Sequence, residues 1–141
     1  MIVHANLIAA RLEGFWRGVL VEGPSGAGKS DLTLRALAAG FRLVADDRVV
    51  LWRSGGRLFG RAPRVLAGLI EARGLGVLAC EALPLCAIVL VARCSGDVER
   101  APEDDTVTRL GLGLPAVPIA PLEPSAPVKL AGALERLGAR R

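Results

Sequence analysis

Gly23-Pro24-Ser25-Gly26-Ala27-Gly28-Lys29-Ser30 fits the phosphate-binding loop pattern G-x-x-x-x-G-K-[ST] at every fixed position, and the rest of the chain is organised around it. A loop that wraps a polyphosphate turns its backbone N–H groups inward. Gly23, Gly26 and Gly28 permit the dihedrals and the close approach that this demands. Lys29 is then a point charge for the β- and γ-phosphates, Ser30 offers a hydroxyl to Mg²⁺, and a helix starting here points the positive end of its dipole at the anion. The flanks support the match against a chance glycine-rich turn. Phe15 to Val21 (FWRGVLV) reads as a strand entering the loop. Beyond it, Leu34, Leu37 and Ala38 share one helical face, and Gly40 stands where a C-terminal cap belongs.

A chain of 141 residues predicts one domain spanning 1–141, long enough to bury a real core. Hydrophobic residues make up 52% and aromatic residues only 4%, so that core is built from Leu, Val and Ala. The net charge of +4 comes largely from arginines scattered along the chain, which suits phosphate ligands or an acidic partner protein. No basic run is interleaved with aromatic residues, so nucleic acid is not an expected partner. Cys80, Cys86 and Cys94 leave one thiol over in any disulfide scheme and form no C-x-x-C; they read as small buried hydrophobes of a reducing cytoplasm. The apolar start has no basic segment ahead of it. The longest apolar run, Ala87 to Ala92, is far below the ~20 residues that span a bilayer. These features predict a soluble cytoplasmic protein with no membrane partner.

In chain order, Ile2 to Ala9 forms a first strand carrying His4, and Arg11 to Gly14 turns into the strand that feeds the loop. After the helix, Arg42 to Ala45 is a short strand ending in Asp46-Asp47, and Val49 to Trp52 carries it on. Ser54-Gly55-Gly56 is a hairpin turn, with Arg57 to Gly60 returning. A glycine-punctuated segment, Leu66 to Leu78, precedes a fully buried strand at Ala87 to Ala92. Ser95 to Thr106 reads as an exposed polar loop. Val107 to Leu112 and Val117 to Ile119 read as short edge strands broken by Pro115 and Pro118. Ser125 caps a last helix with Pro127 in its first turn, Leu130, Leu134 and Leu137 on one face, and Gly138 at its end.

Asp46 and Asp47 follow Lys29 by seventeen and eighteen positions at the end of a strand. Adjacent strand side chains point opposite ways, so one carboxylate can face the phosphates while the other faces its support or the metal. An acidic group there suits Mg²⁺ binding or removal of a proton from an attacking hydroxyl; the plainer alternative is a solvated pair in a turn. Glu71 and Arg73, just before Gly74-Leu75-Gly76, either reach a ligand together or form a surface ion pair. His4 and Arg109 carry no signal by themselves.

Taken together, Gly-x-Ser-Gly-x-Gly-Lys-Ser, Arg-Leu-Val-Ala-Asp-Asp-Arg-Val (42–49) and Leu-Ile-Glu-Ala-Arg-Gly-Leu-Gly (69–76) resemble the C-terminal catalytic domain of HPr kinase/phosphorylase, over roughly His4 to Lys129. The resemblance implies an α/β fold shared with phosphoenolpyruvate carboxykinases, a P-loop-containing mixed twisted sheet with few helices, often assembled as a hexamer. It implies ATP on residues 23–30, with Lys29 on the phosphates and Ser30 on Mg²⁺. Asp47 corresponds to the general base that deprotonates a serine of HPr, a phosphocarrier of the sugar phosphotransferase system. Glu71 completes the metal site, with Asp46 beside it, and His4 assists the same centre. Arg109, in Thr-Arg-Leu-Gly-Leu, corresponds to an active-site arginine suited to charge on the transferring phosphoryl group. Family members also run the reverse reaction, with Asp47 as acid.

Three departures stand out. The chain begins almost at His4 and so resembles the short forms without the N-terminal domain, and Arg11 to Gly18 is longer than expected. Where the family carries Pro-Val-x-Pro-Gly-Arg-Asn, a block tied to dephosphorylation, this chain has Pro118-Ile119-Ala120-Pro121-Leu122-Glu123-Pro124. Kinase activity on an HPr-type carrier is therefore the expected direction. The rivals are a small-metabolite kinase and a nucleotide-sensing regulator without phosphotransfer.

Overall fold

The computed structural model describes residues 1–95 and 105–139. In chain order the elements are β1 (Ile2–Leu12), β2 (Phe15–Glu22), α1 (Lys29–Ala38), β3 (Arg42–Ala45), β4 (Arg48–Ser54), β5 (Arg57–Arg61), a single 3₁₀ turn at Arg64–Leu66, β6 (Leu69–Ala72), β7 (Gly76–Ala79), β8 (Cys86–Cys94), β9 (Asp105–Arg109), β10 (Leu112–Ile119) and α2 (Ala126–Ala139). It is a mixed sheet with few helices.

β1 and β2 form an antiparallel hairpin from Ala5 opposite Glu22 to Leu12 opposite Phe15, longer than the first strand expected. The turn is Glu13-Gly14, both at positive φ. On its other flank β1 takes β3 and then β4, with Leu7 opposite Ala45 and His4 opposite Arg48. As anticipated, the chain continues along the same neighbour through the interruption at Asp46-Asp47. β4 pairs β5 through the Gly55-Gly56 turn, β5 pairs the first part of β8, and the other flank of β8 pairs β2 in parallel. Thus β1, β2, β8, β5 and β4 close a ring of hydrogen-bonded neighbours. Beyond residue 90 the flank of β8 left by β5 is taken by β10, which β9 extends.

Two cores follow from the alternation of side chains along these strands. Ala5, Leu7, Leu20, Val49, Leu51, Leu58 and Ile88 meet inside the ring. Ile8, Val19, Val21, Leu90 and Ala92 face outward and are covered by Leu32 and Ala36 of α1 and by Ala126, Leu130 and Leu134 of α2. Each fully buried leucine contributes about 1.5–3 kcal/mol. Cys86 lies in the first core, where burial pushes its thiol up to about 12. None of the three cysteines is in a disulfide, but Cys80 and Cys94 are only half-buried.

Several expectations are corrected. The face of α1 that packs inward is Leu32, Thr33 and Ala36, not Leu34, Leu37 and Ala38. Thr33 sets the rotation of the helix: its hydroxyl donates to the Lys29 carbonyl and accepts from the buried Asn6 amide, so it must face the sheet. At the other end Gly40 caps as expected. With φ 106 it lets its own N–H reach the Leu37 carbonyl and the Phe41 N–H reach that of Ala36. Pro115 and Pro118 do not break a strand but lie within β10, a strand with neighbours on both flanks. Pro115 comes before the first β8 partner, Ala116, and Pro118 lies beyond the last β9 partner, so a missing N–H on the vacant flank breaks no ladder bond. Gly138 is the last residue but one of α2. The polar loop expected at 95–106 lies for the most part outside the described residues, and Asp105 and Thr106 already belong to β9.

Gly18 shows how tightly β2 meets β8. A Cβ there would stand 2.6 Å from both the Ala87 carbonyl oxygen and the Cys86 Sγ. A backbone carbonyl in a paired strand cannot give way, so Gly18→Ala is expected to lower stability by about 1–3 kcal/mol, read as a shift of the urea midpoint at constant slope.

Candidate active site

β2 runs into the glycine loop and α1 starts at Lys29. Gly28 precedes it with φ 101, a conformation that a side chain strains, and its carbonyl accepts the first helical bond from the Leu32 N–H at 2.9 Å. Two side chains stand close against these glycines. A Cβ on Gly23 would be 2.8 Å from that of Cys94, and one on Gly28 3.0 Å from the Leu122 Cδ2. The Lys29 ammonium folds back to donate to the carbonyls of Gly23 (2.7 Å) and Pro24 (3.1 Å).

At the start of α1 lies a buried polar cluster centred on Asp46, which is only 8% exposed. Its Oδ1 accepts from the Ser30 hydroxyl and the Asn6 amide, both at 2.8 Å, and its Oδ2 accepts from the backbone N–H of Glu71 at 2.9 Å. Asn6 in turn accepts from the Asp47 N–H at 2.9 Å. β1, β6 and the loop helix are thereby locked to one carboxylate at the end of β3. Asp47 turns the opposite way. It sits at φ 69 with its side chain exposed, 3.7 Å from the Arg48 Nε.

Of the residues singled out from sequence, the structure joins Ser30, Asp46 and Glu71 directly and sets Asp47 at their edge. Glu71 enters through its backbone, while its side chain is exposed. Arg73 is exposed in the β6–β7 turn and makes no ion pair with Glu71. His4 is exposed on β1, two residues before Asn6 and so on the same face of that strand, opposite Arg48. Arg109 stands elsewhere, at the entry to the loop. Its Nε and Nη2 grip both oxygens of Glu22, the residue just before Gly23. Those bonds hold the guanidinium more firmly protonated than usual, against the opposing effect of burial.

Asn6, Thr33 and Glu22 were not anticipated. Asn6 had a legible signal, a lone amide inside Ala5-Asn6-Leu7-Ile8-Ala9-Ala10, because a polar residue in a buried run needs a partner. Glu22 had a weaker one, a carboxylate at the strand end where an arginine would be needed to balance it.

The donors near Ser30 are hard oxygens, the hydroxyl of Ser30 and the carboxylate of Asp46. Among the described residues no three His, Cys, Asp or Glu side chains form a metal cage. That donor set fits Mg²⁺, which holds few protein ligands and keeps waters and phosphate oxygens. No helix among the described residues is long and apolar enough to cross a membrane.

The model of the HPr Serine kinase C-terminal domain family matches residues 2–84. The HPr kinase/phosphorylase of Clostridium tetani is 38% identical over 98 residues, 67% of this chain and 32% of that protein. That of Pediococcus pentosaceus is 46% identical over 77 residues, 54% of this chain and 23% of that protein. The chain spans about a third or less of the length of these curated relatives. Among solved structures, the Hpr(Ser) kinase/phosphatase from Coxiella burnetii aligns with a TM-score of 0.81 at 23% identity, covering 99% of this chain and 97% of that one, a likeness of fold.

Proposed function

Since the chain belongs to the HPr serine kinase C-terminal domain family, we propose that it is an ATP- and Mg²⁺-dependent kinase that phosphorylates a serine of an HPr-type phosphocarrier. The observation that carries the proposal is the Asp46 cluster. One buried carboxylate ties the hydroxyl of Ser30 to the β3–β4 connection that presents Asp47, so a phosphate-holding loop and an exposed base are held in a fixed relation.

In this mechanism residues 23–30 form a phosphate-binding loop within a fold of the phosphoenolpyruvate carboxykinase type. Lys29 exchanges the loop carbonyls it now holds for phosphate oxygens. Ser30 and Asp46 would hold Mg²⁺, with Glu71 completing the site by turning its exposed side chain toward them, and the bound ion would supply charge neutralisation on the phosphates. The Ser30 hydroxyl donates to Asp46 and keeps lone pairs free for a cation. Asp47 takes the proton of the carrier's serine hydroxyl as its oxygen attacks, with His4 assisting. Arg109, anchored by Glu22, stabilises charge that develops on the transferring group. Catalysis rests on positioning and charge neutralisation, since phosphoryl transfer asks little covalent chemistry of the protein.

The experiment is intact mass of a purified HPr-type carrier after incubation with this chain, ATP and Mg²⁺. One added phosphoryl group on a serine is expected. Nucleotide binding without addition to the carrier would overturn the kinase in favour of a nucleotide-sensing regulator.

A further inference from the structure

Glu22 ends β2 and is bonded directly to Gly23, the first residue of the glycine loop. A carboxylate there opposes the binding of a polyanion by the loop unless its charge is matched. Its neighbour in register on β8 is Arg93, but that guanidinium turns to Asp105 at 3.1 Å. Glu22 takes Arg109 of β9 instead, although β8 and β10 lie between β2 and β9 in the sheet. The grip is two-pronged: Nε donates to Oε2 at 2.9 Å and Nη2 to Oε1, while Nη1 donates to the Thr108 carbonyl at 2.9 Å. The Arg109 and Glu22 side chains are 29% and 22% exposed, whereas every other ion pair among the described residues has a side chain that is more than half exposed. This pair is therefore the one that water screens least. β9 is the edge strand of the sheet, hydrogen-bonded to β10 alone among the described residues. A long side chain on such a strand has many rotamers, and Glu22 selects one of them and refers it to the strand that carries the loop.

We propose that Glu22 is a positioning residue for phosphoryl transfer, which fixes the Arg109 guanidinium relative to the glycine loop and leaves its outer edge to the transferring group. The proposal rests on the kinase reading, in which Arg109 meets charge on that group, and adds what aims the arginine. Glu22 and Thr108 occupy Nε and part of each terminal nitrogen, so an N–H remains on both terminal nitrogens. A donor pair that is already oriented costs no reorganisation when charge develops. Because the ion pair is neutral as a whole, it attracts the nucleotide little in the ground state, and its contribution falls in the transition state.

The test is a double-mutant cycle in single-turnover transfer to an HPr-type carrier, with equilibrium ATP binding and urea denaturation on the same preparations. Glu22→Gln keeps the shape of the side chain and removes the charge that orients the guanidinium. Its transfer rate is expected to fall about tenfold or more while ATP affinity does not weaken, since a negative charge beside the loop is gone. Arg109→Ala is expected to lose at least as much, and Glu22→Gln added to it to cost no further rate. An additive fall would show Glu22 acting without Arg109 and overturns the proposal. So does an unchanged rate in Glu22→Gln, or a faster one, which would make the carboxylate a restraint on Arg109. Rate, ATP affinity and stability falling together would indicate a structural role alone and overturn it too. No transfer by the unaltered chain, with ATP still bound, is a different result: it overturns the kinase reading, and the positioning role with it.

Discussion

Asp47→Asn is expected to lower phosphoryl transfer to an HPr-type carrier by about 10³-fold while ATP affinity stays near its native value, which places the loss in proton removal and not in nucleotide binding. The substitution suits the question. Asp47 sits at φ 69, in the left-handed region that asparagine tolerates better than most residues, and its side chain is exposed. Its one tie to the buried cluster is its backbone N–H, which donates to Asn6 whatever the side chain is. The fold is therefore expected to survive and only the carboxylate to be lost. Single-turnover transfer and equilibrium ATP binding measured on the same preparation check the split. Undiminished transfer would remove Asp47 from the role of base.

Asp46 is expected to behave in the opposite way. Asp46→Asn keeps size and shape, yet should cost about 2 kcal/mol of stability as well as activity. The reason is donor arithmetic. Oδ1 receives two donors, from Asn6 and Ser30, and Oδ2 receives the Glu71 N–H. An amide offers one acceptor oxygen and one donor NH₂. In one orientation its NH₂ faces the Glu71 N–H; in the other it faces both Asn6 and Ser30. Either way a buried donor meets a donor. Asp46→Ala leaves the same groups without a partner and is expected to cost about as much or more. Urea denaturation of both variants beside Asp47→Asn provides the check. An Asp46→Asn protein as stable as the native chain would show that this carboxylate does not hold the cluster together.

The two aspartates show how far sequence carried. Their place at a strand end after the glycine loop was legible, and so was the fact that the two neighbours face opposite ways. Which of them faces inward was not, because it depends on Asn6 and Thr33, 27 residues apart, meeting across the helix–sheet contact. The same limit applies to Arg109, whose partner Glu22 is 87 residues away and became visible only through the course of β9 and β10 beside β8. Leu34, Leu37 and Ala38 misled for a related reason. Helical period identifies faces, but the buried hydrogen bonds of Thr33 chose among them.

By itself the sequence determined what a few consecutive residues can enforce. Glycine spacing shapes the loop at 23–30, positive φ at Gly40 stops α1, Gly55-Gly56 turns β4 into β5, and an unbroken apolar run makes β8. These are local dihedral and burial preferences, satisfied within a turn or a strand. The tertiary structure alone decided the closure of β1, β2, β8, β5 and β4 into a ring, the passage of β10 through two prolines, and the clamping of Pro121 to Pro124 onto α1 by Arg35. Each depends on groups far apart in the chain finding complementary partners at once. Hydrogen-bond satisfaction and packing set that condition over the whole molecule, and no short window of residues contains it.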